Sequence, residues 1–450
     1  MEVLGRIPVD RSRALVYEHG WQSWSPTSAY RLDQRPFRPV SDDRRVGNYH
    51  PERTAPHDAF WGEGLLAVDP GTGDGVQVFG APAPDGEIPS IRAAVDGDAV
   101  VVCADGEVEW LVVAGGTGAD EAPHTALDRA LGVWGDGFAA AAKVGTLTPP
   151  PTAWCSWYHY FQEVTQADIE ENLQAIDTLG LPVDVVQIDD GYQAEIGDWL
   201  LLSDRFASLA SIVTAIRRAG RRVGIWVAPF LVGERSALAR EHPDWLVGGA
   251  APGDGWGGQR LASLDTTNPA AEEYLREVFG TLRGLGIDYF KIDFVYAGAM
   301  AGRRADPSVS GITAYRHGLR VIRAAIGPEA FLLGCGAPIL PSVGLVDAMR
   351  VGPDIAHHFE PLDGDLSQPS QRAAARNSRW RAWQQGRFWT NDADCLVACT
   401  HVERREEWAG IVERYSGLRA SSDRLSALDD WGLAATRRLL QPGLAAPFVP

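Results

Sequence analysis

Residues 268–294 read NPAAEEYLREVFGTLRGLGIDYFKIDF, and two kinds of structure meet inside them. The stretch 268–286 has the punctuation of a helix. Asn268 is a capping residue, Pro269 suits the first turn, and Gly286 stops the helix. The stretch 287–294 is an apolar run of strand length that ends on Asp293. A helix handing straight over to a strand with a carboxylate at its tip is one unit of an alternating α/β fold.

The same unit recurs in both directions. VDVVQIDDGY (183–192) follows a helix carrying Ile169, Leu173, Ile176 and Leu179 and closed by Gly180. RRVGIWVAPF (221–230) follows one with Leu209, Ile212, Val213 and Ile216 on one face, closed by Gly220. AFLLGCGAP (330–338) follows a helix through Tyr315, Leu319, Ile322 and Ile326. LVDAMRVGPD (345–354), GRFWTNDADC (386–395) and SGLRASSD (416–423) continue the series, and TAWCSWYHYF (152–161) begins it. Eight candidate strands over about 270 residues predict a parallel (β/α)8 TIM barrel at 151–440. A doubly wound open sheet is the rival, but no GxGxxG turn follows any of the strands.

Residues 1–120 read differently. GLLAVD, GVQVFGA, AVVVCAD and VEWLVVAGG are short β-branched runs separated by Gly, Asp and Pro turns, as in an antiparallel sandwich. HTALDRALGVWGDGFAAAAKVG then reads as a helix and TLTPPP as a stiff linker, so that 121–150 joins the two parts, and 441–450 is a tail.

Composition narrows the function. A net charge of −18 argues against nucleic acid or an anionic membrane as partner, since both require a basic surface. No apolar run approaches the ~20 residues of a membrane helix, and the start lacks the apolar core of a secretory signal. Five scattered cysteines make neither a disulfide framework nor a CxxC metal pair, which leaves the cytoplasm as the expected compartment. Tryptophan is used 16 times, and indole suits sugars, whose C–H faces are apolar and whose rims are polar. Lysine occurs only at Lys143 and Lys291 in a chain with 41 basic residues. A lysine kept two residues before Asp293 points to a site that takes a thin stem and a point charge but not the broad fork of arginine.

In a parallel barrel the chemistry sits at the C-terminal ends of the strands. Those ends bring together Trp157, Asp189, Asp190, Trp226, Asp293, Cys335, Asp354 and the TNDAD of 390–394, with Lys291 and Arg350 among them. A carboxylate rim can hold Mg²⁺, but here no histidine stands at a strand tip and two cations would repel the metal. Glycoside hydrolysis wants two carboxylates flanking the bond and tryptophans against the sugar, which this rim supplies. No metal and no cofactor is expected.

WCSWYHYF, VVQIDDGY, GIWVAPF, DYFKIDF, LLGCGAPILPSVGLVDAMRVGPD and FWTNDADC together resemble the retaining α-galactosidases, or melibiases, of glycoside hydrolase family thirty-six. The resemblance runs in the family's order over roughly residues 20 to 435. It implies an N-terminal β-sandwich, a catalytic barrel and a small C-terminal β domain. It also implies that Asp293 is the nucleophile and Asp354 the general acid/base. Asp189 and Asp190 would hold the galactose 4- and 6-hydroxyls, and Lys291 and Arg350 would contact sugar hydroxyls. Trp157 and Trp226 would wall the pocket, Trp24 of GWQSWSP would reach over the barrel mouth, and Cys335 would line the sugar site.

The substrate so implied is a small α-galactoside such as melibiose or raffinose. An α-N-acetylgalactosaminidase or a galactosyl transferase on the same scaffold is the nearest alternative, and a non-catalytic galactoside-binding protein the alternative of another class. WQSW arrives only about 20 residues in, so a truncated sandwich is expected, and QPGLAAPFVP leaves a C-terminal β domain absent or vestigial. A sandwich short of edge strands exposes unpaired backbone, which makes a homo-oligomer an expectation.

Overall fold

A computed structural model of the chain describes residues 1–39, 41–51, 53–114, 123–253 and 256–441. The expected boundary near residue 120 and the tail from 442 onward lie outside the described residues.

The repeating unit forms as its sequence dictates. In the helix Pro269–Leu285 the Asn268 side chain accepts from the Ala270 N–H, and Gly286 takes the left-handed conformation at φ 103°. Ala271, Leu275, Val278, Phe279 and Leu282 form its buried face. Strand β15 (Tyr289–Ile292) follows at once. Its partners in one parallel eight-stranded sheet are β10 (Thr152–Cys155), β11 (Val185–Ile188), β12 (Arg222–Val227), β16 (Phe331–Gly334), β17 (Ala348–Arg350), β18 (Thr390–Asp392) and β19 (Arg419–Ser421). The hydrogen-bonded order is β18-β17-β16-β15-β12-β11-β10-β19. Its two outer strands are joined where the N–H groups of Gly417 and Leu418 both donate to the Asn391 carbonyl, which brings the sheet round into a barrel. Each of the eight runs read as a strand carries one. A short antiparallel pair, β13 (Leu231–Gly233) and β14 (Leu261–Ser263), stands outside the barrel sheet.

Strand alternation sorts the side chains. Trp154, Val186, Ile225, Phe290, Ile292 and Leu332 pack with the helices in one apolar cluster. Ala153, Cys155, Val185, Tyr289, Phe331, Leu333 and Ala348 pack in another, inside the barrel. The row that faces inward on β15 is therefore Tyr289, then Lys291, then Asp293 just past the strand. Gly224 lies opposite Tyr289 in the register, and a Cβ there would come within 2.9 Å of the tyrosine ring. A glycine is what the interior tolerates at that point.

The N-terminal part builds two antiparallel sheets. One has the order β1-β8-β7-β4, from Glu2–Pro8, Ala99–Ala104, Ser90–Asp96 and Phe60–Glu63. The other has the order β3-β2-β5-β6-β9, from Ser28–Arg31, Leu15–Glu18, Leu65–Asp69, Val76–Gly80 and Glu109–Val113. Ile7, Val16, Phe60, Leu66, Val68, Phe79, Ile91 and Val102 fill the space between them. The sequence pattern picks out β5, β6, β8 and β9. The residues ahead of Trp24 nevertheless supply β1 and β2. The remaining strands are only four residues long or carry polar residues through the alternation, so their apolar signal is weak.

The sandwich reaches the barrel mouth through a gap. Between β16 and β17 the described helix is only Ile339–Ser342, where other units carry helices of 10 to 17 residues. The segment 21–23 occupies that flank: the Ser23 N–H donates to the Ala337 carbonyl at 3.1 Å and the Ile339 N–H to the Trp21 carbonyl at 2.9 Å. The next residue is Trp24.

Candidate active site

The strand tips bring the sequence-predicted residues to one end of the barrel. Asp293 has each carboxylate oxygen held: the Trp226 indole N–H donates to Oδ2 at 3.1 Å and the Phe294 backbone N–H to Oδ1 at 2.7 Å. Phe294 takes a left-handed backbone at φ 50°, a conformation bulky residues rarely adopt, and this turn presents its N–H to the carboxylate it follows. Trp226 is 1% exposed and wedged edge-on against Trp199, so its indole is a fixed donor.

Asp354 stands four residues past Arg350 and is held by its guanidinium. That guanidinium is shared among three carboxylates: Nε to Asp392 at 3.0 Å, one terminal nitrogen to Asp354 at 3.0 Å and the other to Asp394 at 2.8 Å. The planar fork of arginine is what lets one cation meet three anions. The Tyr158 hydroxyl donates to Asp394 on its far side. Burial, reinforced by the nearby Asp394, pushes the Asp354 carboxyl up to about 7 even though Arg350 pulls the other way.

Asp189 and Asp190 follow β11. Asp189 Oδ2 accepts from Lys291 Nζ at 2.9 Å and from Gln187 Nε2 at 2.6 Å. Burial opposes the charge of Lys291, but Asp189 outweighs it and holds the ammonium well above the ordinary lysine range. Asp190 accepts from Gln193, from Gln162 at 2.8 Å and from the Trp256 indole N–H at 3.1 Å. Burial moves its carboxyl up. Cys335 is fully buried among Asp293, Arg350 and Lys291.

Two cavities open above this floor, of about 780 and 440 Å3. The larger is lined by Trp157, Phe161, Asp354 and His357, the smaller by Asp293, Phe294 and Gly336. Trp24 and Trp256 line both and stand between them. Trp256 packs against Trp157 at 5.5 Å and Phe294 at 5.1 Å between ring centres. Trp24 is held from beneath. Arg381, fully buried, donates to the carbonyls of Gly20, Gln22, Ser23, Ser25 and Val351, and the Asn377 amide donates to those of Ser23 and Ser25.

All ten residues singled out from sequence thus lie at this end of the barrel. Asp293 and Asp354 face separate cavities, and Arg350 is committed to carboxylates. Sequence reasoning did not assign Tyr158, Gln162, Gln187, Gln193, Trp256, Asp392 or Asp394. TNDAD was a visible signal for the last two; nothing in the row PGDGWGG announces that Trp256 folds back onto Asp190. Among the described residues no group of three or more His, Cys, Asp or Glu side chains is placed to hold a metal ion, and the space among Asp354, Asp392 and Asp394 is filled by the Arg350 guanidinium. No helix of the described residues is long and apolar enough to cross a membrane.

The chain is similar to known alpha-galactosidases in sequence and in fold. The melibiase family profile matches residues 151–323. Alpha-galactosidase C of Emericella nidulans is 30% identical over 172 residues, 34% of this chain and 22% of that protein. The bifunctional alpha-galactosidase/sucrose kinase AgaSK of Mediterraneibacter gnavus is 31% identical over 103 residues, 21% of this chain and 10% of that protein. The chain thus matches less than a quarter of the length of these curated relatives. TtGalA, an alpha-galactosidase from Thermus thermophilus solved with p-nitrophenyl alpha-D-galactopyranoside, is similar in structure over 98% of this chain and 91% of its own, with a TM-score of 0.79 and 27% identity. The alpha-galactosidase AgaA of Geobacillus stearothermophilus shares the fold at a TM-score of 0.64 and 15% identity, over 97% of this chain and 61% of its own.

Proposed function

We propose, from the premise that the chain is a member of the α-galactosidases (melibiases) of glycoside hydrolase family thirty-six, that it removes terminal α-linked galactose from small galactosides by double displacement. One observation carries the reading: two carboxyl groups at one barrel mouth stand in unlike surroundings. Asp293 is an oriented acceptor fixed by two N–H donors, while Asp354 is buried and pushed up to about 7. Unlike environments for paired carboxyl groups are how a site divides the work of nucleophile and acid.

In the first step an Asp293 oxygen bonds to the anomeric carbon as the bond to the leaving oxygen breaks, and Asp354 gives that oxygen its proton. A β-galactosyl ester on Asp293 results. In the second step the Asp354 carboxylate takes a proton from water, the water oxygen bonds to the anomeric carbon, and the ester breaks. α-Galactose leaves, with Asp293 ionised and Asp354 protonated as at the start. Asp189 and Asp190, held by Lys291 and three amide side chains, are proposed to accept from the 4- and 6-hydroxyls. Trp157, Trp226 and Trp24 are proposed to bound the sugar, and Cys335 to lie beneath it. Arg350 is proposed to hold Asp354 in place. The five cysteines are free thiols, four of them buried, which supports a reducing compartment such as the cytoplasm.

The test is hydrolysis of nitrophenyl α-galactoside, with the first-formed anomer read by NMR. α-Galactose is the expected product. Inert enzyme, or β-galactose formed first, would contradict the reading.

A further inference from the structure

Resting on that function, we infer that Phe161 is the stacking platform for the part of the substrate beyond the cleaved bond, and so sets which leaving groups are preferred. Its backbone is the first sign. Phe161 lies at φ 49°, ψ −143°, where the helix Trp157–Tyr160 ends and its N–H turns back to the Trp157 carbonyl. That region is costly for any residue with a Cβ, and such outliers persist where a site requires them. Relaxing the turn would swing the ring elsewhere.

Exposure is the second sign. Among the described residues Phe161 is the one phenylalanine counted with the exposed large apolar side chains, at 45%. An aromatic ring left in water at a strained position has no core role to explain it. Its edge rests on Trp157, with ring centres 5.3 Å apart and planes at 80°, and His357 lies 6.3 Å away. Nearly half of the residue's surface stays open.

The cavity supplies the third argument. An acid must touch the oxygen it protonates, so the leaving group lies on the side of Asp354 rather than of Asp293. Asp354 and Phe161 line the same cavity of about 780 Å3, which is within the ~300–1,000 Å3 of small-molecule sites. Asp293 opens instead on the smaller cavity, across Trp24 and Trp256. A sugar leaving group in the larger space would lay its C–H face on the exposed Phe161 ring.

The experiment compares two substrates that share galactose and differ beyond it. Raffinose has a sugar leaving group, and α-galactosyl fluoride has only fluoride. Phe161→Gly relieves the backbone while deleting the ring, so its melting temperature should equal or exceed the wild-type value. Its loss in kcat/KM on raffinose should exceed its loss on the fluoride by about three- to tenfold, the scale of one aromatic contact. Phe161→Trp should restore the ratio. Equal losses on the two substrates, or none on raffinose, would overturn the inference while leaving the proposed function standing. A wild-type enzyme inert on the fluoride would overturn that function and this inference with it.

Discussion

At the scale of single residues, the site turns on how one arginine and one lysine divide the carboxylates. Arg350 serves Asp354, Asp392 and Asp394, and Lys291 serves Asp189. Arg350 and Lys291 both draw the Asp354 carboxyl down, but burial and the neighbouring Asp394 win and leave it at about 7. In the proposed mechanism the protonated form is the working acid, present below that value and lost above it. For raffinose kcat/KM should therefore fall by about tenfold per pH unit above pH ~7. For α-galactosyl fluoride, whose leaving group needs no proton, the alkaline fall should be absent or much shallower. Identical alkaline limbs on both substrates would show that another group titrates. Much of this was legible beforehand. Lys291 stands out in a chain of arginines, and Asp293 and Asp354 sit at the ends of readable strands. What could not be read is that Arg350 points along the rim at Asp392 and Asp394: the barrel makes β17 and β18 neighbours, but spacing does not say which way the guanidinium turns.

At the scale of elements, the loop 20–25 is what brings the sandwich's tryptophan to the barrel. Among the described residues the hydrogen bonds of Arg381 go to backbone carbonyls alone, and burial, uncompensated by any carboxylate, lowers its guanidinium to about 10. A cation is kept there because the loop's carbonyls are buried and need donors. Arg381→Met keeps the bulk and removes the donors, at ~1–3 kcal/mol for each carbonyl left unpaired. Trp24 should then be loosely held: KM for galactosides rises several-fold more than kcat falls, and amides of 20–27 exchange hydrogen faster while those of β15 and β16 do not. Unchanged KM with normal local exchange would mean that Trp24 is positioned by other contacts. Sequence pattern located Trp24 but not its support, since Arg381 lies some 360 residues away in the chain. The strands β2, β3 and β4 escaped for a simpler reason: four residues give too little alternation to separate a strand from a turn.

At the scale of the whole molecule, two parts of different architecture, an antiparallel sandwich and a parallel barrel, meet at one mouth. The barrel was readable because its units repeat: capped helices closed by glycine, then apolar runs that end on charge. The joint between the two parts was not, because it depends on the short Ile339–Ser342 helix leaving a flank for residues 21–23. The placement of Trp256 on Asp190, between the two cavities, is likewise a product of three-dimensional packing. All of it serves one claim, that Asp293 attacks the anomeric carbon while Asp354 manages the proton. The most direct test is covalent. An α-galactosyl fluoride bearing a second fluorine at C5 should form the ester and release it slowly. The account predicts a protein mass increased by one fluorinated galactosyl group, carried after digestion by the peptide containing Asp293. A label on any other residue, or turnover without an adduct that gives β-galactose first, would contradict it.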